Sequence, residues 1–157
     1  MNDGMSAVAR YLPARLAQGG RLPWIPATTP GKSSMPLRFF RDNRGFVELL
    51  RMEPGVEMPL HRHIGATHAY HLSGSRQLST GEIFGPGDYE CEPPGNTDAW
   101  KIVGDEPLTA LVIVMGEVEF LGPDGGVRGR ANADSQWQEY RRHCHEHGLA
   151  LLDLFDP

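Results

Sequence analysis

Gly55-Val56-Glu57-Met58-Pro59-Leu60-His61-Arg62-His63 is the stretch on which the reading of this chain turns. Successive side chains on a β-strand point to opposite faces, so residues two apart share a face. His61 and His63 therefore project together, and two imidazoles on one face can bind one metal ion. Thr67, His68 and Gly74 follow closely, and Asp98 lies further downstream.

The surrounding composition favours a small β-domain. The chain has 157 residues, of which 39% are hydrophobic, enough for a single packed core. Its 19 Gly and 13 Pro are dispersed without a repeat, which suits short strands and turns better than long helices. The formal charge of −5 and the lack of a Lys/Arg cluster argue against a nucleic-acid or anionic-membrane surface. No apolar run reaches the roughly 18–20 residues that span a bilayer. Met1-Asn2-Asp3-Gly4 carries no basic region followed by an apolar one, so no signal peptide is expected. Cys91 and Cys144 are too few for a disulfide framework, so a cytoplasmic location is expected.

Residues 1–21 read as an N-terminal arm with a short helix near 7–18, and residues 22–130 as a β-barrel. Residues 131–157 read as a helix and tail packed on the barrel. Leu22-Pro23-Trp24-Ile25-Pro26 is apolar but broken by prolines, as expected of an edge strap. Strands are expected at 36–41, 45–53, 59–63, 67–73, 75–83, 87–92, 97–103, 107–115 and 117–121. Turn sequences such as Glu53-Pro54-Gly55 and Pro93-Pro94-Gly95 separate them. Leu108–Met115 is the longest apolar run and the natural central strand. After Gly129 the period changes to that of a helix, from about Asp134 to His147, stopped by Gly148. Trp137, Tyr140 and Cys144 share its inner face. So many short strands with one terminal helix form a barrel whose interior holds a metal and a small ligand.

These residues resemble the cupin superfamily. Gly55, His61, His63 and Gly74 match its first motif in order and spacing, and Gly87, Pro93 and Gly95 match its second. The resemblance implies an all-β fold, the double-stranded β-helix or jelly-roll barrel. His61-Arg62-His63 with Gly65-Ala66-Thr67-His68-Ala69-Tyr70, Glu92-Pro93-Pro94-Gly95 and Gly122-Pro123-Asp124-Gly125 is similar to the 2,4'-dihydroxyacetophenone dioxygenase-like cupins. The acetylacetone-cleaving dioxygenases are more distant relatives. Active members hold Fe(II) through three histidines and cleave a carbon–carbon bond with O2. The resemblance also implies a homodimer.

Two positions depart from the motifs. The glutamate slot of the first falls on Thr67, a poor ligand. His68 fits an alternative spacing, but strand parity sends it outward if Thr67 faces in, where it would be a hydrogen-bonded histidine rather than a ligand. The third histidine of the second motif is replaced by Asp98. His61, His63 and Asp98 would form a two-His-one-carboxylate set, which suits Fe(II) with open positions. Zn, Ni and Mn are alternatives, and Asp98 could instead hydrogen-bond a metal-bound water or cap a turn.

His71 reads as a solvent or interface histidine, with a place lining the cavity as the alternative. Gln77 and Glu82 are candidate partners for a ligating histidine, although an exposed Glu82 is the commoner fate. Trp24, Tyr70 and Trp100 are candidate pocket walls. His143 and His147 share a helical face but lack further ligands, and Cys91 reads as a small buried residue. The expected function is a metal-dependent cupin acting on a small molecule and O2, namely a non-haem Fe(II) dioxygenase cleaving a diketone or hydroxy-ketone. A non-catalytic binding module and a metal-dependent isomerase or lyase are the alternatives.

Overall fold

Alternating apolar and polar residues fold the chain into two facing antiparallel sheets, seen in a computed structural model that describes residues 22–156. The expected N-terminal arm and its helix lie outside the described residues. One 6-stranded sheet has the order β1-β2-β3-β10-β5-β8 and the other β12-β11-β4-β9-β6-β7. The first sheet contains β1 (Ile25–Pro26), β2 (Lys32–Phe40), β3 (Gly45–Met52), β5 (Thr67–Ser73), β8 (Tyr89–Glu92) and β10 (Leu108–Met115). The second contains β4 (Glu57–His63), β6 (Ser75–Leu78), β7 (Ile83–Phe84), β9 (Thr97–Val103), β11 (Val118–Leu121) and β12 (Val127–Ala131). With the helix α1 (Ala133–His147) at the C-terminal side, this is an all-β jelly roll.

Most strands fall where alternation placed them, and β10 is central, paired to β3 on one side and β5 on the other. Three differences have local causes. The expected strand at 75–83 is split, because Gly81 takes φ +100° and its N–H bonds back to the Leu78 carbonyl, turning the chain from β6 to β7. β2 starts earlier, where the polar run Lys32-Ser33-Ser34 pairs with Leu50, Arg51 and Met52. β12 was not expected; its Val-Arg-Gly-Arg sequence has little apolar alternation, and it is held as the edge partner of β11.

The proline strap is edge strand β1, paired only to β2, where the missing Pro26 N–H costs no internal ladder bond. Gly74 ends β5 at φ +68°; a Cβ there would stand 2.7 Å from Leu108 Cα and closer still to the Pro107 carbonyl oxygen, so the first-motif glycine is a packing requirement.

Two apolar clusters fill the barrel. One, around Phe39, Phe46, Val114, Tyr140 and Leu154, lies under the helix, and the other joins Leu50, Met52, Met58, Trp100 and Leu108. Val112 and Phe120 touch both. A cavity of about 600 Å3 is lined by members of each cluster.

The helix starts at Asn132, whose side chain accepts from Ser135 N while the Ser135 hydroxyl accepts from Asn132 N, and ends at Gly148 in the left-handed region. It buries Ala133, Tyr140 and Cys144, and Trp137 packs edge-on to Phe39. The tail after it returns along β2: Phe39 N donates to the Leu154 carbonyl, and Tyr140 Oη accepts from Leu152 N at 3.0 Å. Tyr140→Phe leaves that buried N–H unpaired without opening a cavity. We expect it to lower stability by about 1–3 kcal/mol; urea unfolding measures the loss, and an unchanged midpoint would show that the bond does not hold the tail.

Candidate metal centre

β4 carries a bulge between Met58 and His61 in its pairing with β9. Pro59 has no N–H for the ladder, so the bulge is a natural place for it. The irregularity brings Met58 and His61 both inward although they are three residues apart, and His63 follows on the same face. The Pro59 carbonyl lies 2.8 Å from His61 Nδ1. That carbonyl can only accept, so Nδ1 carries the proton and Nε2 keeps its lone pair for a metal. Burial chiefly, helped by nearby His63 and Arg76 against the Pro59 and Glu92 influences, lowers the His61 pKa and keeps the ring neutral.

His63 is oriented in the same way by another residue. Its Nδ1 lies 2.8 Å from Thr67 Oγ1, so the residue at the first motif's glutamate slot serves as a hydrogen-bond partner of a histidine. His63 Nε2 is 2.9 Å from Glu92 Oε2, yet it is buried and makes no aligned hydrogen bond. The two atoms face a common space rather than each other. Ligands bound to one ion at 2.0–2.2 Å stand about 3 Å apart, so this approach suits shared coordination. His61, His63 and Glu92 present ligand atoms all within 4.8 Å of one another, and all three are buried. Among the described residues this is the group whose donors suit a divalent ion.

Glu92 was missed because Cys91 was read as the buried residue of its strand. β8 has the opposite parity: Glu90 and Glu92 are buried, and Cys91 is exposed. The pairing of Thr67 with Glu92 puts the carboxylate on the inward face of its neighbour. Glu-x-Glu before Pro93-Pro94-Gly95 was the signal available. Asn96 Nδ2 donates to Glu92 Oε1 at 3.4 Å, which leaves Oε2 directed at the histidines. Burial alone would raise the Glu92 carboxyl; contact with His63, together with the charges of Arg76 and His61, brings it below its ordinary value.

Asp98 stands opposite His61 on β9, buried and on the same face, but outside the cluster of three. Its Oδ1 accepts from Ser79 N at 3.3 Å and from the Ser79 hydroxyl, while Oδ2 is buried without a partner. Arg76 reaches from β6 into the same region. It is ion-paired to Glu90, stacked 4.4 Å over Trp100, and lowered by burial to about 10 against the pull of Glu92 and Asp98, so it stays charged. Glu90, Glu92 and Asp98 thus bring three formal negative charges against one positive, and one divalent cation restores the balance.

The remaining expected residues separate cleanly. Trp100 lines the cavity, whereas Trp24 does not; its neighbour Ile25 does. Tyr70 is a correction: it lies on the outer face of β5, 45% exposed, because Thr67, Ala69 and His71 take the inner positions. His68 is outside as well, its Nδ1 2.6 Å from Tyr89 Oη. His71 is buried rather than exposed, stacked on Phe84 and 3.7 Å from Glu90, and burial with Arg76 lowers it to about 4. It lies behind Glu90 and does not line the cavity. Gln77, on β6, donates to the Gly81 carbonyl, and Glu82, in the exposed β6–β7 turn, accepts from Thr80. His143 and His147 stack at 4.1 Å on the exposed side of the helix with no further ligand.

A jelly roll that carries such ligands on inward-facing strand positions is a cupin. The chain belongs to the ChrR Cupin-like domain family, whose model matches residues 14–116. It is similar to an RmlC-like cupin protein from Ralstonia eutropha JMP134, at 21% identity and TM-score 0.82 over 88% of this chain and 91% of that one. A second Ralstonia eutropha JMP134 protein, of unknown function with a cupin-like fold, is 24% identical over 80% of this chain and 78% of that one, with TM-score 0.70. An acetylacetone dioxygenase from Acinetobacter johnsonii shares the fold at 12% identity and TM-score 0.69, over 77% of this chain and 85% of that one. Among curated protein sequences none matches the chain.

The geometry ranks the residues by their effect on metal affinity. Thr67→Val, which only frees the His63 ring, should weaken binding about 10–100-fold. His63→Ala and Glu92→Gln should weaken it further, and Asp98→Asn less than Glu92→Gln. Competition titration with a chromophoric chelator measures each; Asp98→Asn weaker than Glu92→Gln would transfer the ligand role to Asp98.

Proposed function

We propose that this cupin is a non-haem Fe(II) dioxygenase that cleaves a carbon–carbon bond in a small diketone or hydroxy-ketone. The observation that carries the reading is the convergence of His61 and His63 from one sheet with Glu92 from the other inside a single cavity. His61, His63 and Glu92 would hold a divalent ion through two imidazoles and one carboxylate, a donor set that suits Fe(II) with open positions. Ferrous iron bound there supplies Lewis acidity toward a carbonyl oxygen and electrons for dioxygen.

The chain's own residues shape what enters. A cavity of about 600 Å3 suits a small molecule. Met58, Trp100, Val112 and Phe120 give it apolar walls that hold the hydrocarbon part of a ligand and exclude water. Arg76 is ion-paired to Glu90 and stacked on Trp100, so it fixes one wall. Among the described residues no helix is long and apolar enough to cross a membrane. Free Cys91 and Cys144 support a cytoplasmic location.

Protein purified without a histidine tag should contain near-stoichiometric transition metal and consume O2 with a hydroxy-ketone or 1,3-diketone in an oxygen-electrode assay. Absence of Fe, Mn, Ni, Co and Zn, with no binding on reconstitution, would leave a metal-free binding module. Turnover without O2 uptake would place an isomerase or lyase on the same residues.

A further inference from the structure

The wall facing the histidines is also polar, and the metal reading makes no use of it. Lys32 and Ser34 from β2 and Glu48 from β3 occupy inward positions on the first sheet, interrupting an otherwise apolar wall of Phe46, Leu50 and Val112. Ser34 lies beside Glu48 and acts to lower its carboxyl. Lys32 extends across the interior: its Nζ lies 3.8 Å from Met58 Sδ and 5.4 Å from the centre of the Phe120 ring, which is itself 6.3 Å from the His61 ring. An ammonium is thus held inside the barrel on a thioether and an aromatic face, with one carboxylate nearby. Both are partly buried on the inward face of the sheet, where a barrel needing only stability would more often carry apolar residues.

We propose that Glu48 is the proton-transfer residue of this cavity and that Lys32 receives the oxyanion, so the cavity selects carbonyl compounds with an acidic α-hydrogen. This deepens the dioxygenase reading and rests on it for the carbonyl class of substrate. In the step, the C–H bond next to the carbonyl breaks and its proton passes to a carboxylate oxygen of Glu48. The C–H electron pair becomes the C=C bond of the enolate, and the carbonyl π pair moves onto the oxygen facing Lys32 Nζ. Electron-rich enolate is the form of a ketone that reacts with an oxidant, so the two walls serve successive needs.

The electrostatics agree with the geometry. Burial raises Glu48 to about 7, against the smaller lowering influences of Lys32 and Ser34, so base and acid forms coexist at neutral pH. Burial lowers Lys32, and Glu48 partly restores it. Of the strands beside β3, β2 brings Lys32 as the charged group facing inward and β10 brings Val112. Across the cavity, on the second sheet, stand His61, His63 and Arg76; Glu92 comes from β8 of the same sheet as Glu48, and Arg130, Glu139 and Arg142 are also on the lining. For Glu48 the influential charge among them is Lys32.

The test follows α-hydrogen exchange of 2-hydroxyacetophenone in D2O by proton NMR, under argon, with the protein as purified. Wild-type protein should accelerate exchange, with the rate rising as Glu48 ionises and half-maximal near pH 7. Glu48→Gln should reduce the enzymatic rate about 100-fold or more. Lys32→Met removes an influence that lowers Glu48, so the midpoint should move to higher pH. Circular dichroism of both variants checks that they fold. No acceleration by wild type, full exchange in Glu48→Gln, or an unmoved midpoint in Lys32→Met would overturn the proposal. Exchange that depends on Glu48 in a protein that consumes no O2 would keep the proton step and overturn the dioxygenase. O2 uptake with exchange indifferent to Glu48 would do the reverse.

Discussion

Arg76 is the interaction on which the interior depends. Its guanidinium is buried between two sheets, ion-paired to Glu90, drawn toward Glu92 and Asp98, and stacked on Trp100. Removing an ion from water costs several kcal/mol even after relaxation, and only good pairing recovers it. One arginine cannot satisfy three carboxylates. Glu90 takes the direct contact, Asp98 is given the Ser79 hydroxyl and N–H, and Glu92 turns one oxygen to Asn96 and the other toward the histidines. The unbalanced charge is thereby concentrated where the His61 and His63 imidazoles already point. A cation site results from the way a fixed surplus of negative charge is shared out.

The same charge surplus explains what was and was not legible in the sequence. Strand periodicity placed the barrel, its central strand and the inward direction of His61 and His63, because those features depend on local alternation. Glu92 depends on the parity of a four-residue strand, where one misjudged residue inverts every side chain. Cys91 is more apolar than its neighbours and invited the wrong parity; pairing with β5 overrode it. Tyr70 and His71 exchanged faces for a related reason, since an aromatic looks like a wall and a histidine looks like surface. The space behind Glu90 instead takes the flat imidazole, stacked on Phe84 and deprotonated by burial. Burial of polar residues follows their partners, and a partner on another strand leaves no mark on local pattern.

The Asp98 position shows how a motif and its chemistry can part. Reading His61, His63 and Asp98 as a set assumed that a carboxylate can take over the place of an imidazole. Asp98 does keep the inward face opposite His61, but its shorter side chain meets Ser79 at the strand wall. The carboxylate that converges with the histidines comes from the other sheet, at the end of β8, where the chain is about to turn through Pro93-Pro94-Gly95. The donor types are those the sequence implied, while the residue supplying the oxygen differs.

Two walls of one cavity consequently differ in character. The histidine wall suits a cation: its hydrogen bonds to Pro59 and Thr67 fix both imidazoles, burial lowers His61, and the Glu92 carboxylate faces them from the other sheet. The Lys32–Glu48 wall carries a proton-exchanging pair with no net formal charge, so it does not compete for the ion. A bound molecule contacting both must offer an oxygen donor on one side and a removable proton on the other, which is a narrower requirement than apolar fit. Phe120 touches both walls, with the His61 ring near it on one side and the Lys32 ammonium on the other. The proposed selectivity therefore resides in the spacing of two polar walls on either side of Phe120.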